Sequence, residues 1–392
     1  MGKLDKWVRG AIPALLIHGS IGSVYAWSIF TNPLSEYLNV SVSKVQFAFS
    51  LAIFFLGMSA AFAGNIVEKN IHRSSLISLI FFCGGLLTTA LAISLKSLFL
   101  VYIGYGCLMG VGLGVGYITP VKTLMLWFSD HKGLATGIAV CAFGFASAIA
   151  SPIITFLLSR FSISTSFIIL SAIYCVPLLI SHFLLKKPSW FKETVEKSDF
   201  KLLSMFKDKN FLKIWLMIFI NITCGLALIS IASPLLTEMN CGKATIAVVV
   251  SIMGICNGAG RLIFSALSDK LKNRAYIYLV IFAISVGTIG LSIICKSFVV
   301  PIVITLCIIS STYGAGFSNL PTLLSDKYGM KNISKIHGLS LTAWAMAGLC
   351  GNQLSSFVQS QTGSYKSVLT ILILAYIIGG LISISLVRKQ RN

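Results

Sequence analysis

The sequence predicts an all-α membrane protein: twelve transmembrane helices arranged as two parallel six-helix repeats. Three observations lead there. The 392-residue chain is 56% apolar and only 11% charged, with a mean hydropathy of +0.90, whereas soluble domains carry about 25% charged residues. The apolar residues fall in long unbroken runs, and roughly 20 of them make one bilayer-spanning helix. The chain also repeats itself. Runs of this kind exclude a β-barrel, which alternates over ten-residue segments. A dozen spans consume nearly the whole chain, so no room remains for a catalytic domain, and an enzyme is not expected.

The spans are placed at 11–30, 44–64, 75–95, 98–127, 134–157, 165–185, 213–232, 244–264, 276–295, 299–325, 337–358 and 367–387. The first run lacks a small-residue cleavage site and reads as a retained span. The net charge of +20 comes from 31 basic against 11 acidic residues, and its location decides its meaning. One set of loops, with both termini, holds 23 of the basic residues; the opposite set holds six, and Lys122 and Arg261 lie within spans. The positive-inside rule makes the richer side cytoplasmic, with both termini inside a cell membrane. The charge is thus topological and implies no nucleic acid. The ten cysteines lie almost entirely in apolar runs without a C-x-x-C pair, so neither a disulfide framework nor a metal site nor a cofactor is expected.

The one long connection, 186–212, divides the chain into bundles 1–185 and 213–392. Two readings of it stand: a surface helix on anionic lipid, from its basic residues and interleaved Trp190, Phe191, Phe200, Leu203 and Phe206, or a solvated linker. Sliding the chain by 201 residues superposes Pro33-Leu34 on Pro234-Leu235, Ser50 on Ser251, Gly57 on Gly258, Pro120 on Pro321 and Gly137 on Gly338. It also brings Glu68-Lys69 and Arg73 onto Asp269-Lys270 and Arg274. Six spans per half is an even number, so the halves enter from the same side. They are parallel repeats about an axis along the membrane normal.

The hairpins 64–73 and 265–274 resemble the signature of major facilitator transporters. Glu68, Lys69, Arg73, Asp269, Lys270 and Arg274 are expected to gate, with an acid near clustered bases locking neighbouring helices in one state. Ile71 stands at the family's turn glycine, which implies a looser first latch. Arg261 lies eight residues from Asp269, about 12 Å into the bilayer. A charge there is functional by default, and no helix interior offers an acid to neutralise it, so an anionic substrate is the simplest partner. Lys122 lies about 10 Å from its helix end, some 140° round the helix from Tyr117, and is expected to snorkel. His18 is deeper, and is either a proton carrier or a histidine bonded to a neighbour. The six glycines of the fourth span, Gly104 to Gly116, suit close helix packing.

These residues resemble the oxalate/formate antiporter family of the major facilitator superfamily. The likeness rests on Y-A-W-S-I-F-T-N-P from Tyr25, W-F-S-D-H-K-G-L-A-T-G from Trp127, N-G-A-G-R from Asn257 and Y-G-A-G-F-S-N-L-P from Tyr313. It implies a small carboxylate held midway between the halves by Arg261. Tyr25, Tyr117 and Tyr313 would be phenolic donors, Phe317 a wall, and Asn257 and His18 further members of the site, although aromatic residues also serve packing. Oxalate carriers place a lysine on helix 11 where this chain has Trp344. The implied function is secondary-active transport of small organic anions by alternating access, with monocarboxylates such as formate, lactate or pyruvate favoured and a monomeric carrier expected. An oxalate or dicarboxylate exchanger, a sugar or drug transporter and a non-transporting carboxylate sensor remain as alternatives. With no carboxylate inside a helix, exchange or uniport is expected unless His18 carries protons.

Overall fold

The computed structural model describes residues 4–191, 202–295 and 298–388. Among the described residues every regular element is a helix. Twelve helices follow in order: α1 (Trp7–Ala26 and Ile29–Leu38), α2 (Val42–Lys69), α3 (Ile71–Ser94), α4 (Leu98–Trp127), α5 (Lys132–Arg160) and α6 (Ile163–Leu184) make the first half. The second holds α7 (Lys209–Glu238), α8 (Lys243–Ser268), α9 (Ala275–Ile294), α10 (Val299–Tyr328), α11 (Ile333–Ser340 and Thr342–Thr362) and α12 (Tyr365–Arg388). Among the described residues, ten helices are long and apolar enough to cross a membrane, and the two segments of α1, bent by 52°, make an eleventh. Helix α11 is too polar for that count, since its second segment carries Gln353, Gln359 and Gln361. Several helices outrun the expected spans by a turn or more because their ends reach past the apolar runs; α2 continues to Lys69 and α7 to Glu238.

The connection 186–212 is described only at its flanks, so both readings of it stand. Residues 192–201 lie outside the described residues, but the flanks hold to the bundle. The stretch from Leu185 to Phe191 is not helical: Lys186 N donates to Arg9 O at 3.1 Å, and Trp127 Nε1 donates to Lys186 O at 2.8 Å. On the other side the turn Leu202–Lys207 packs Phe206 against Phe211, ring centroids 5.5 Å apart.

The fourth-span glycines do bring helices close. A Cβ on Gly114 would lie 2.0 Å from Leu56 O of α2, and one on Gly112 would lie 2.4 Å from Phe82 N of α3. The same device joins the two halves, and there it obeys the repeat. Gly57 of α2 abuts Ala345 of α11, while Gly258 of α8 abuts Gly144 of α5. One step nearer the termini, Gly338 meets Ala60 and Gly137 meets Arg261; then Gly64 meets Lys335 and Gly133 meets Ser265. Each pair lies 201 residues from its counterpart within a residue. The internal repeat is therefore a pseudo-twofold axis running between α2–α11 and α5–α8.

Gly114→Val should force α4 off α2, an overpacking cost of about 1–3 kcal/mol or more, and lower the melting temperature of the detergent-solubilised protein. Gly84, whose Cβ would meet nothing within 4 Å, is the control. Gly84→Ala should be neutral or stabilising, since alanine is the better helix former.

Candidate functional site

Two sites emerge, one at the end of the bundle that carries both termini and one between the halves. At the basic end, each signature acid caps a helix of the opposite half. Asp269 accepts from Gly133 N and Leu134 N, both at 2.8 Å, in the first turn of α5. Glu68 Oε1 accepts from Ser334 N at 2.9 Å, in the first turn of α11. These are amides without an intrahelical partner, at the positive pole of a helix, so a carboxylate satisfies both hydrogen bonding and dipole. Gly133 and Ser334 are themselves 201 residues apart, so the twofold relation extends to the latch.

The bases differ between the copies. Arg274 Nη2 donates to Asp269 Oδ1 at 2.8 Å, its Nη1 to Ser268 Oγ at 2.6 Å and its Nε to Asp326 Oδ2 at 2.7 Å. The equivalent Arg73 is exposed, as are Lys69 and Lys270, so three of the expected latch bases sit outside the clasp. In the first copy the ion pair comes instead from Lys122, which reaches Glu68 from α4 and is 5% exposed in its side chain. Lys122 therefore does not snorkel to water; it is buried against an acid. Lys187 Nζ donates to Glu68 O at 3.2 Å, and Phe191 covers the ammonium at 5.3 Å, closing this clasp from the linker side.

Midway between the halves lies Arg261, with no exposed surface. Its Nε donates to Asn257 Oδ1 at 2.9 Å, one turn earlier on α8, and its Nη1 to Val140 O of α5 at 3.3 Å. The guanidinium carbon sits 5.4 Å from the Phe143 ring and 5.1 Å from Phe317, a cation–π sandwich. Gly314 of α10 makes room for this arm, since a Cβ there would fall 2.6 Å from Asn257 Oδ1 and 3.0 Å from Arg261 Cγ. Nη2 has no partner among the described residues. Neither does Tyr117 Oη nor Trp344 Nε1, although both are buried.

Aromatic rings close the cage. Trp344 lies 4.3 Å from Phe317, 5.3 Å from Tyr117 and 5.8 Å from Phe143, centroid to centroid. The expected residues Tyr117, Phe317 and Trp344 thus come together around Arg261. Asn257 orients the guanidinium. Tyr25 and Tyr313 bond each other, Oη to Oη at 2.9 Å, and so join α1 to α10. His18 stands behind the cage with both ring nitrogens on backbone carbonyls, Nδ1 on Ala139 and Nε2 on Tyr117 at 2.9 Å. Sequence reasoning missed Phe143, although the repeat places it opposite Trp344. His337 of α11 packs on Tyr117 at 6.1 Å, ring to ring, without reaching Arg261.

A sequence profile of the Major Facilitator Superfamily matches residues 14–352. The chain belongs to that superfamily. It is a membrane transporter and not an enzyme. The oxalate:formate antiporter of Oxalobacter formigenes is 25% identical over 99% of this chain and 93% of its own. Human monocarboxylate transporter 12 is 23% identical over 72% of this chain and 61% of its own. Among solved structures, the E. coli fucose:proton symporter FucP superposes with a TM-score of 0.70 at 16% identity, covering 96% of this chain and 99% of that one. The superposition carries the twelve-helix, two-repeat fold.

Removing one partner of the Glu68–Lys122 pair leaves a buried charge, which costs about 3–5 kcal/mol. Glu68→Gln should therefore lower thermal stability sharply and speed hydrogen exchange at the Ser334 amide. Adding Lys122→Met should restore most of the stability but not the amide protection, because the carboxylate acceptor is still gone.

Proposed function

We propose that this transporter carries small organic anions, monocarboxylates of the formate, lactate and pyruvate class, by alternating access about the Arg261 cage. The observation that carries the reading is a fully buried guanidinium that meets no carboxylate among the described residues. A permanent charge at that depth requires an anion, and the described residues supply neutral acceptors, Asn257 Oδ1 and Val140 O. The unpartnered groups nearby, Nη2 of Arg261, Oη of Tyr117 and Nε1 of Trp344, can all donate to a carboxylate. Rings on the remaining sides suit a methyl group or a hydrogen. The antiporter of Oxalobacter formigenes, named for oxalate and formate, supports the same ligand class.

The charge count favours one carboxylate over two. Lys122, the other cation within a span, is engaged by Glu68 at the basic end, so Arg261 stands as the cation of the cage. A second carboxylate there would lack a partner, at several kcal/mol, and each 1.4 kcal/mol is about tenfold in affinity. By the positive-inside rule the basic end is cytoplasmic. With both acids on opposing helix termini, the carrier is closed on that side. In this reading the halves 1–185 and 213–392 rock about the axis, and opening toward the cytoplasm breaks both clasps. The carrier in this reading is a monomer in the cell membrane.

The test is counterflow in proteoliposomes with labelled formate, lactate, pyruvate and oxalate. Wild type should accumulate a monocarboxylate, Arg261→Ala should not, and Arg261→Lys should rescue poorly because an ammonium lacks the planar fork. Trp344→Lys should shift preference toward oxalate. Accumulation of no carboxylate would sink the proposal, as would uptake by Arg261→Ala at the wild-type rate. Displacement of a bound monocarboxylate by oxalate at equal or lower concentration would remove the single-carboxylate reading.

A further inference from the structure

The imidazole of His18 is fully buried and has an unusual partner set. Both ring nitrogens face backbone carbonyl oxygens, Ala139 O of α5 at Nδ1 and Tyr117 O of α4 at Nε2. A carbonyl only accepts. A neutral imidazole has one N–H, so one of these contacts would set a ring lone pair against a carbonyl lone pair; only the imidazolium donates to both. The two carbonyl dipoles then supply what a carboxylate would otherwise supply. Resting on the carrier reading above, we propose that His18 is the proton-binding site of this transporter, and that one proton is bound and carried with each monocarboxylate.

The surroundings provide the coupling. The Phe143 ring lies 6.3 Å from the His18 ring and 5.4 Å from the Arg261 guanidinium, so the two basic groups flank one side chain. While Arg261 is unneutralised, a second positive charge beside it is repelled. A carboxylate on Arg261 removes that repulsion, and by linkage a proton on His18 tightens anion binding by the same factor. The anion-loaded, protonated cage carries the same net charge as the empty, deprotonated one. Proton and anion together therefore cross without net charge.

Other groups around His18 do not offer the same site. Tyr117 of α4 packs at 5.1 Å, ring to ring, and presents its carbonyl. His337 of α11 lies on the far side of Tyr117, and its Nε2 finds no acceptor among the described residues, which suits a neutral ring. Helix α6, also packed on α1, carries Tyr174 and, nearer the basic end, His182, which Ser75 engages at 2.8 Å. None of these helices brings a carboxylate to the ring.

The experiment combines counterflow with proton counting. Proteoliposomes carrying a trapped pH-sensitive dye receive labelled lactate or formate, and proton and anion entry are measured together. Wild type should move about one proton per anion and should concentrate the anion several-fold when the outside is made more acidic. His18→Gln, which keeps one donor, should lose both effects while still exchanging labelled anion. His337→Gln should keep both. Wild-type counterflow without proton entry would overturn the proposal, as would proton-coupled uptake by His18→Gln. Should His18→Gln fail to insert, the His337→Gln variant decides: loss of proton entry there would assign the proton to His337 instead. Absence of any wild-type counterflow would instead count against the carrier reading itself.

Discussion

A guanidinium buried between two helical bundles constrains everything near it. Placing such a charge at bilayer depth costs about 3 kcal/mol even on the most lenient insertion scales. The fold meets that cost without cancelling the charge. Asn257 and Val140 O hold two of the nitrogens with neutral acceptors, and Phe143 and Phe317 offer their negative ring faces. A carboxylate in either position would have stabilised the arginine better and silenced it. The choice of partners that orient but do not neutralise leaves the charge available, and Gly314 keeps α10 near enough to bury it.

The same economy appears at the basic end, where helix termini serve as the cationic half of a clasp. Asp269 and Glu68 each satisfy amides that the opposing half cannot bond for itself. These bonds run between the halves, so in the proposed alternating-access cycle they would belong to one conformation. The packing beneath them is steric. Gly64 against Lys335 and Gly133 against Ser265 permit backbone contact, and any side chain there would hold the clasp apart.

Much of this was legible in the sequence. Hydropathy alone gave the helices, and the 201-residue offset gave the pairing of halves, down to Glu68 with Asp269. Arg261 stood out because charge is rare in apolar runs. Three features were not legible, each for a physical reason. Lys122 takes the place of Arg73 beside Glu68, and no local spacing reveals a contact between α4 and α2. Phe143 looks like any core aromatic until its position opposite Trp344 is known. The partners of His18 are main-chain carbonyls on two other helices, and carbonyl positions leave no trace in residue identity.

The repeat also explains where the cage departs from symmetry. Position 60 is the counterpart of 261 and holds alanine, while 56 is the counterpart of 257 and holds leucine. Both sit at equivalent places, since Gly338 packs on Ala60 as Gly137 packs on Arg261. A strictly symmetric protein would therefore bring two arginines to the axis, a site for two charges. Phe143 and Trp344 are also counterparts, and they meet near the axis at 5.8 Å. The first half has kept its aromatic wall and given up its charge, and the second supplies the single cation. A ligand lying on a twofold axis needs no symmetry of its own if only one half reaches for it. The walls can stay paired so that both halves close on it equally, while the charge stays single, as the proposed monocarboxylate substrate requires.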